Sequence, residues 1–251
     1  FRGVVISNEG DNFSVAANTT GAQRTGTTSL YKYLSEHPQF RSATLKTKGV
    51  HFFDTRYDKG MAWYRAHFPT SAFRAMFKAR HGVDLITGEA APYYLFHPHV
   101  PYRLHQHLPN VKLIAMLRDP IERTYSQWQH ELSRGFEDDT TFEEALAREP
   151  RRLAREVEKM NADASYKSFS HQHHSYVARS QYADQLEVYR SLFPASQIHV
   201  IKAEDFSDDF RNKPNFRSLP YIADARNDEN LIIAQFHTAV TGPNSRRTAI
   251  A

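Results

Sequence analysis

Short apolar runs alternate along this chain with longer stretches in which apolar residues recur at helical spacing. The runs that predict strands are residues 13–17, 83–88, 111–117 and 198–203. The stretches that predict helices are residues 28–37, 121–134, 142–160 and 181–193, and 142–160 fits one amphipathic helix or a pair. Such alternation is typical of parallel strands, because each crossover connection is long enough to hold a helix. The sequence therefore predicts an α/β fold with three layers, a central parallel β-sheet flanked by helices.

The 251 residues can form one large domain or two small ones. We find no internal repeat, low-complexity tract or linker, and the polar, proline-punctuated stretch after residue 205 indicates loops. Apolar residues make up 40% of the chain and charged residues 24%, enough to bury a sizeable core. The prediction is a single domain over residues 1–251.

Composition excludes several classes of function. The chain has no cysteine, so it has no disulfide, thiolate nucleophile or cysteine-ligated zinc. A net charge of +4 favours an anionic ligand, but no basic run interleaved with aromatic residues indicates nucleic acid. No apolar run approaches the roughly 20 residues that span a bilayer, and the first residues lack a signal pattern. We expect a cytoplasmic location if the protein is bacterial, and the Golgi lumen if an anchor has been removed.

The segment GAQRTGTT, residues 21–28, lies between a predicted strand and a predicted helix. A glycine-punctuated turn there exposes successive backbone N–H groups, and a helix N-terminus adds partial positive charge, which together bind anions. In nucleoside triphosphatases the second glycine is followed by Lys and then Ser or Thr, whereas Gly26 is followed by Thr27. The cation lies within the turn, at Arg24. The simpler alternative is an ordinary strand-to-helix turn capped by threonine.

Several separated segments resemble one family. GAQRTGTTSLYKYLSEHP, KGVHFFD, GEAAPYYL, LRDPIERTYSQW and SQYADQLEVYRSLFPASQIHVIKAEDF occur in the order found in sulfotransferases of the carbohydrate type, related to heparan sulfate sulfotransferases and their bacterial homologues. The resemblance spans roughly residues 13–206. It implies a P-loop-like fold and transfer of a sulfuryl group from 3′-phosphoadenosine-5′-phosphosulfate (PAPS) to an acceptor hydroxyl or amine, with adenosine 3′,5′-bisphosphate as the product. The acceptor class that it implies is a carbohydrate or another hydroxylated metabolite.

The resemblance also implies a donor site. The residues that it assigns to PAPS are Gln23, Arg24, Thr25, Gly26, Thr27, Thr28, Arg118 and Ser126. Arg24 stands where many relatives carry a catalytic lysine, and its fixed fork and permanent charge make it an electrostatic stabiliser and a poor proton donor. Arg118 follows the predicted strand 111–117, at the carboxyl edge where open α/β sheets bind ligands. The alternative for Arg118 is a surface ion pair with Asp119 or Glu122.

A general base is harder to assign. Many relatives carry a glutamate in the segment that reads KGVHFFD here, and the corresponding position in this chain is Gly49. His51 and Glu89 are then the nearest candidates, and histidine has the pKa suited to proton transfer at neutral pH. His51 could instead be a packed structural residue, and Glu89 could hold Lys48 or Arg24. An acceptor amine or acidic phenol would need little help from a base.

Other residues are assigned by motif position and chemistry. Lys48 is a candidate for contact with the transferring sulfonate, with a solvated side chain as the alternative. The candidates for lining the acceptor cleft are Tyr93, His97, Arg179 and Tyr182. The histidines of residues 171–174 lack the spacing of a defined metal-ligand set, so a polar loop is the preferred interpretation and no metal is expected.

The predicted function is therefore that of a PAPS-dependent sulfotransferase. Two alternatives stay open at this point. One is a P-loop kinase or nucleoside triphosphatase, for which Asp119 is the one tempting magnesium ligand. The other is a nucleotide-binding module weakened in catalysis, which the glycine at position 49 suggests.

Overall fold

The computed structural model describes residues 2–5, 27–43, 49–91 and 93–203. These residues belong to the first of two units into which the chain divides, Phe1–Pro214, and the second, Asn215–Ala251, lies outside them. The one-domain assignment for residues 1–251 stays a prediction. The predicted strand at residues 13–17 also lies outside the described residues.

One or more helices separate each strand from the next through the described ranges. The strands are β1 (Arg2–Val5), β2 (Phe40–Ser42), β3 (Ile86–Gly88), β4 (Leu113–Leu117) and β5 (Ile198–Lys202). The helices are α1 (Thr27–Glu36), α2 (Phe52–Thr55), α3 (Gly60–Arg65), α4 (Ser71–His81), α5 (Val100–His107), α6 (Pro120–Ser133), α7 (Phe142–Leu153), α8 (Glu156–Ala162), α9 (Phe169–His173) and α10 (Tyr182–Leu192). The α/β class predicted from the sequence is confirmed.

The described strands form two sheets. In one, β4 pairs with β5 in parallel, with Leu113 opposite Ile198. Strand β4 also pairs with β1, in the antiparallel direction. The sequence did not predict β1, because its four residues are too few to show an alternation of apolar and polar side chains. In the other sheet, β2 and β3 are parallel. Both predicted strands that end near the candidate site, β3 and β4, are therefore members of parallel pairs.

The start of α6 fixes the backbone immediately after β4. The side chain of Asp119 accepts hydrogen bonds from the backbone N–H groups of Ile121 and Glu122 at 2.9 and 3.0 Å, and Pro120 occupies the first helical position. This combination of N-cap and proline is a strong helix start. It leaves Arg118 in the two-residue turn between strand and helix, next to the capping Asp119.

The predicted helical stretch 142–160 is a pair of helices, α7 and α8, separated at Arg155, whose φ is 61°. Not all of its charges lie at the surface. Arg152 donates to both carboxylate oxygens of the buried Glu137 at 2.6 and 2.9 Å, and the Tyr176 hydroxyl donates to the same carboxylate at 2.5 Å. A charge taken out of water needs such partners, so this network fixes α7 against the segment after α6.

Aromatic packing anchors the short helix α2. Phe52, Phe53 and Tyr64 are fully buried, and the Phe52 ring stacks on that of Tyr64 with centroids 4.9 Å apart. Phe53 meets the Tyr94 ring edge-on at 5.8 Å. Buried aromatic side chains of this size dominate local packing energy. The residue before α2, His51, is therefore attached to a rigid part of the core.

Candidate active site

Two segments from the sequence motifs meet in the interior, residues 49–51 and residues 89–91 with 93 and 94. Glu89 follows β3 and is fully buried. One of its carboxylate oxygens accepts the Val50 backbone N–H at 2.5 Å, and the other accepts the Tyr94 hydroxyl at 2.9 Å. The prediction that Glu89 holds Lys48 or Arg24 stays a prediction, because Lys48 and Arg24 lie outside the described residues. Within those ranges, Glu89 holds the backbone that leads to His51.

This approach depends on the absence of a side chain at Gly49. A Cβ atom built there would lie 2.5 Å from the carbonyl oxygen of Ala90 and 3.1 Å from the Cα atom of Ala91. Real Cβ atoms do not approach backbone atoms so closely, because the two atoms would overlap well inside their van der Waals radii. Gly49 thus lets residues 49–51 close onto residues 89–91.

His51 and Asp54 form a hydrogen-bonded pair across the first turn of α2. The His51 Nδ1 atom lies 2.8 Å from Asp54 Oδ2, and the other carboxylate oxygen accepts the Thr55 N–H at 2.6 Å. The carboxylate is buried, whereas the imidazole is 33% exposed. A buried carboxylate that holds one nitrogen of a partly exposed histidine orients the ring and selects its tautomer. Asp54 was not predicted as a site residue, although its i,i+3 spacing from His51 was a usable signal.

Burial and charge act in opposite directions on these groups. Burial by itself lowers the pKa of His51, but the charge and hydrogen bond of Asp54, with a contribution from Glu89, raise it above its ordinary value. Burial raises the pKa of Asp54, and the charge and hydrogen bond of His51 outweigh it, so that the net pKa is lowered. For Glu89 burial wins, and its pKa rises from 4.5 to about 7 despite the Val50 and Tyr94 hydrogen bonds.

Arg118 precedes α6, and Ser126 lies about two turns into that helix. The Arg118 guanidinium donates to Glu122 at 3.0 Å, and Glu122 is one helical turn before Ser126. The surface ion pair that the sequence offered as an alternative for Arg118 is therefore present. Its two side chains are 18% and 66% exposed, and an ion pair with so exposed a partner contributes at most about 1 kcal/mol. A phosphate could displace it at little cost.

Tyr182, predicted to line the acceptor cleft, lies beside Arg118. Its hydroxyl donates to the Arg118 carbonyl oxygen at 2.9 Å, which joins the first residue of α10 to the turn after β4. In this structure Tyr182 supports the backbone of a predicted donor-binding residue. Contact with an acceptor stays a prediction.

The other three predicted acceptor residues, Tyr93, His97 and Arg179, are at most 5% exposed. They cluster around His171. The prediction of a polar loop there is wrong, because His171 lies in α9. The Tyr93 hydroxyl is hydrogen-bonded to His171 Nδ1, and the Arg179 guanidinium lies 5.2 Å from the centroid of the Tyr93 ring. Burial lowers the pKa of His97 and of His171 to about 3. These side chains form a neutral-histidine core cluster, and direct contact with an acceptor would require them to become exposed.

The remaining predicted site residues cannot be placed relative to these. Gln23, Arg24, Thr25, Gly26 and Lys48 lie outside the described residues, while Thr27 and Thr28 begin α1 without described side chains. Among the described residues, no group of three His, Asp or Glu side chains is arranged to hold a metal ion. In the part of the chain with described structure, every helix is too short or too polar to cross a bilayer.

Comparisons with known proteins agree on one family. A family model described as a sulfotransferase domain matches residues 19–214. The membrane-associated sulfotransferase kil1 of Dictyostelium discoideum is 28% identical over 74% of this chain and 51% of its own length. The bifunctional heparan sulfate N-deacetylase/N-sulfotransferase of Drosophila melanogaster is 28% identical over 73% of this chain and 17% of its own length.

Shorter and structural matches point the same way. The heparan sulfate glucosamine 3-O-sulfotransferase 6 of Mus musculus is 33% identical over 45% of this chain and 30% of its own length. The crystal structure of a sulfotransferase from Alicyclobacillus acidocaldarius is 29% identical, with a TM-score of 0.52 over 80% of this chain and 76% of that one. The chain spans about half or less of the length of these three curated relatives.

Proposed function

This chain belongs to the sulfotransferase family, and on that premise we propose that it transfers the sulfuryl group of PAPS to a hydroxyl or amine of a carbohydrate. The observation that carries the proposal is the pairing of the family match with the arrangement after β4. There Arg118 follows a parallel strand at its carboxyl end, where α/β sheets bind nucleotides. Its guanidinium reaches Glu122, which is one helical turn before Ser126.

The donor would be held at two places. Residues 23–28 would hold the 5′-phosphosulfate through backbone N–H groups, threonine hydroxyls and the Arg24 guanidinium, and Arg118 with Ser126 would hold the 3′-phosphate. PAPS supplies the activated sulfuryl group and a leaving group that departs as adenosine 3′,5′-bisphosphate. Because little covalent chemistry falls to the protein in transfers of this type, its residues act by alignment and by stabilising negative charge.

The acceptor class is inferred from the relatives. Two of them are named for heparan sulfate, and their names cover both N- and O-sulfation. A carbohydrate acceptor is therefore the proposal for this chain, and both an amine and a hydroxyl are retained as the receiving group. Lys48 is proposed to contact the transferring sulfonate.

One observation bears on the kinase alternative. The Asp119 side chain, the tempting magnesium ligand of that hypothesis, accepts two backbone N–H groups as the N-cap of α6. A carboxylate oxygen so engaged is a poor partner for a magnesium ion that demands near-ideal octahedral geometry. The lysine expected after the second glycine of a P-loop is also absent, because residue 27 is threonine.

The test has a binding arm and a transfer arm. Isothermal titration should show tighter binding of adenosine 3′,5′-bisphosphate without metal than of adenosine triphosphate with magnesium, and Arg118→Met should weaken the former by about tenfold or more. Sulfate transfer from radiolabelled PAPS should then be measured on heparan sulfate and on its N-deacetylated form. A preference for adenosine triphosphate would overturn the proposal. Nucleotide binding without turnover on any acceptor would favour a binding module.

A further inference from the structure

We propose that His51 is the general base of this sulfotransferase, that Asp54 positions it, and that Gly49 makes the arrangement possible. The inference rests on the proposed function and identifies the proton acceptor that the glycine at position 49 leaves unassigned. It also argues against a module weakened in catalysis, because His51 could serve as the base in place of a carboxylate at position 49.

The geometry of the pair meets the requirements of a histidine base. Nδ1 of His51 is engaged by a carboxylate at 2.8 Å, which leaves Nε2 as the ring nitrogen that can take a proton. The ring is one third exposed while Asp54 is buried, so an acceptor can reach the histidine and not the residue that orients it. The pair thus resembles the base and the orienting carboxylate of a catalytic triad, with the acceptor substrate in the place of the nucleophile.

The backbone of His51 supports a functional assignment. Its φ of 55° and ψ of 37° are left-handed, and among the described residues only one other non-glycine, Arg155, has a positive φ. This conformation costs an L-residue about 1–2 kcal/mol and persists only where the surroundings impose it. Here the buried Phe52 and Phe53 follow directly, and the Arg56 guanidinium donates to the Val50 carbonyl oxygen at 3.0 Å. Strain of this kind is concentrated at active sites.

Glu89, the other candidate base, is excluded by its position in this structure. It is fully buried, and each of its carboxylate oxygens accepts a hydrogen bond, from Val50 and from Tyr94. No acceptor can reach it without displacing one of them. A carboxylate on residue 49 is excluded as well, because its Cβ atom would collide with the Ala90 carbonyl. Glu89 is therefore a positioning residue that holds the segment from which His51 projects.

The reaction step balances with His51 as the base. Nε2 takes the proton of the acceptor O–H or N–H as that oxygen or nitrogen forms its bond to sulfur. The bond between sulfur and the bridging oxygen of the donor breaks, and its electron pair stays on the 5′-phosphate of adenosine 3′,5′-bisphosphate. The imidazolium beside Asp54 then returns its proton to water, so no oxidant or metal enters the balance.

The charged groups around His51 set the direction of its pH response. Asp54 on α2 and Glu89 after β3 raise its pKa, and Arg56 lowers it, with burial opposing the two carboxylates. The net pKa lies above the ordinary 6.5, so at neutral pH a sizeable fraction of the histidine is protonated and cannot act as a base. The rate constant kcat should therefore rise with pH until His51 is neutral.

The experiment compares the wild-type chain with His51→Gln and with His81→Gln, a control at the exposed end of α4. All three should bind adenosine 3′,5′-bisphosphate alike in isothermal titration, which also reports that the variants are folded. His51→Gln should lose about 10²- to 10⁴-fold in kcat for transfer to the better of the two heparan sulfate acceptors, and the rising limb of the pH profile should disappear. His81→Gln should behave as the wild type does.

A second readout does not depend on turnover. Nitrogen-15 NMR of the wild-type chain should show neutral His51 with its proton on Nδ1 and an unprotonated Nε2, and Asp54→Asn should change that tautomer balance. A proton found on Nε2 of the neutral ring, at a pH above the titration of His51, would overturn the assignment even if a variant failed to fold. Equal transfer by wild type and His51→Gln would overturn the base while leaving the sulfotransferase intact, whereas absence of transfer by the wild type would overturn the proposed function and the base together.

Discussion

Replacing Glu89 with glutamine should remove a specific pH dependence from the stability of this protein. The carboxyl is fully buried, and its pKa is about 7 in the folded chain against 4.5 ordinarily. Between these values the folded state retains a proton that the unfolded state has released, so stability falls as the pH rises from about 4.5 to about 7. At 1.36 kcal/mol per pH unit, the total is about 3 kcal/mol, of which about 2.5 kcal/mol falls between pH 5 and pH 8.

Glutamine mimics the protonated acid. Its carbonyl oxygen can accept the Val50 N–H, and its amide can donate to the Tyr94 hydroxyl, which then acts as acceptor. Any fixed cost of the substitution is independent of pH. Relative to the wild type, Glu89→Gln should therefore gain about 2.5 kcal/mol in free energy of unfolding between pH 5 and pH 8.

Urea unfolding followed by circular dichroism at pH 5, 6, 7 and 8 measures this difference. Glu187→Gln on the exposed face of α10 is the matched control, and its stability should run parallel to that of the wild type. A constant gap between Glu89→Gln and the wild type across this range would refute the reasoning, because it would mean that burial does not perturb the carboxyl.

Two further substitutions probe the ends of the site. Gly49→Ala should cost about 1–3 kcal/mol and change the His51 nitrogen resonances, because its Cβ would lie 2.5 Å from a backbone oxygen. The control is Gly135→Ala, where a Cβ meets no atom within 4 Å and the His51 resonances should stay unchanged. Unaltered His51 resonances in Gly49→Ala would contradict the packing argument. Glu122→Gln should tighten adenosine 3′,5′-bisphosphate binding up to about fivefold in isothermal titration, because it frees Arg118 from its ion pair. Adenosine 5′-monophosphate should show no such gain, and a loss of affinity would show that Glu122 supports the site.

Local signals predicted the elements around the site closely. The expected helix at residues 121–134 is α6, Pro120–Ser133, because the capping aspartate and the proline that begin it are adjacent in sequence. The expected helix at 181–193 is Tyr182–Leu192, ended near a proline. The antiparallel pairing of β1 with β4 was not predicted, since it joins segments more than 100 residues apart and leaves no local trace.

The candidate site was predictable only in part. Motif position identified His51 and Glu89, but the contact that defines their roles joins Val50 to a residue 39 positions away. The full burial of Arg179 was equally hidden, because arginine is rarely buried and only its neighbours reveal why it is tolerated here. Its guanidinium donates to the carbonyl oxygens of His171 and Gln172, backbone partners that a side-chain pattern cannot show.

The tight contact between Gly49 and Ala90 makes the present arrangement hard to reverse. The obstacle is the main chain of residues 90 and 91, so exchanging their side chains would not open room for a longer residue at position 49. An acidic side chain there would require the backbone of residues 90 and 91 to move, and Val50 is hydrogen-bonded to Glu89 directly before them. A designer who wishes to install a glutamate at this position must therefore rebuild the loop first.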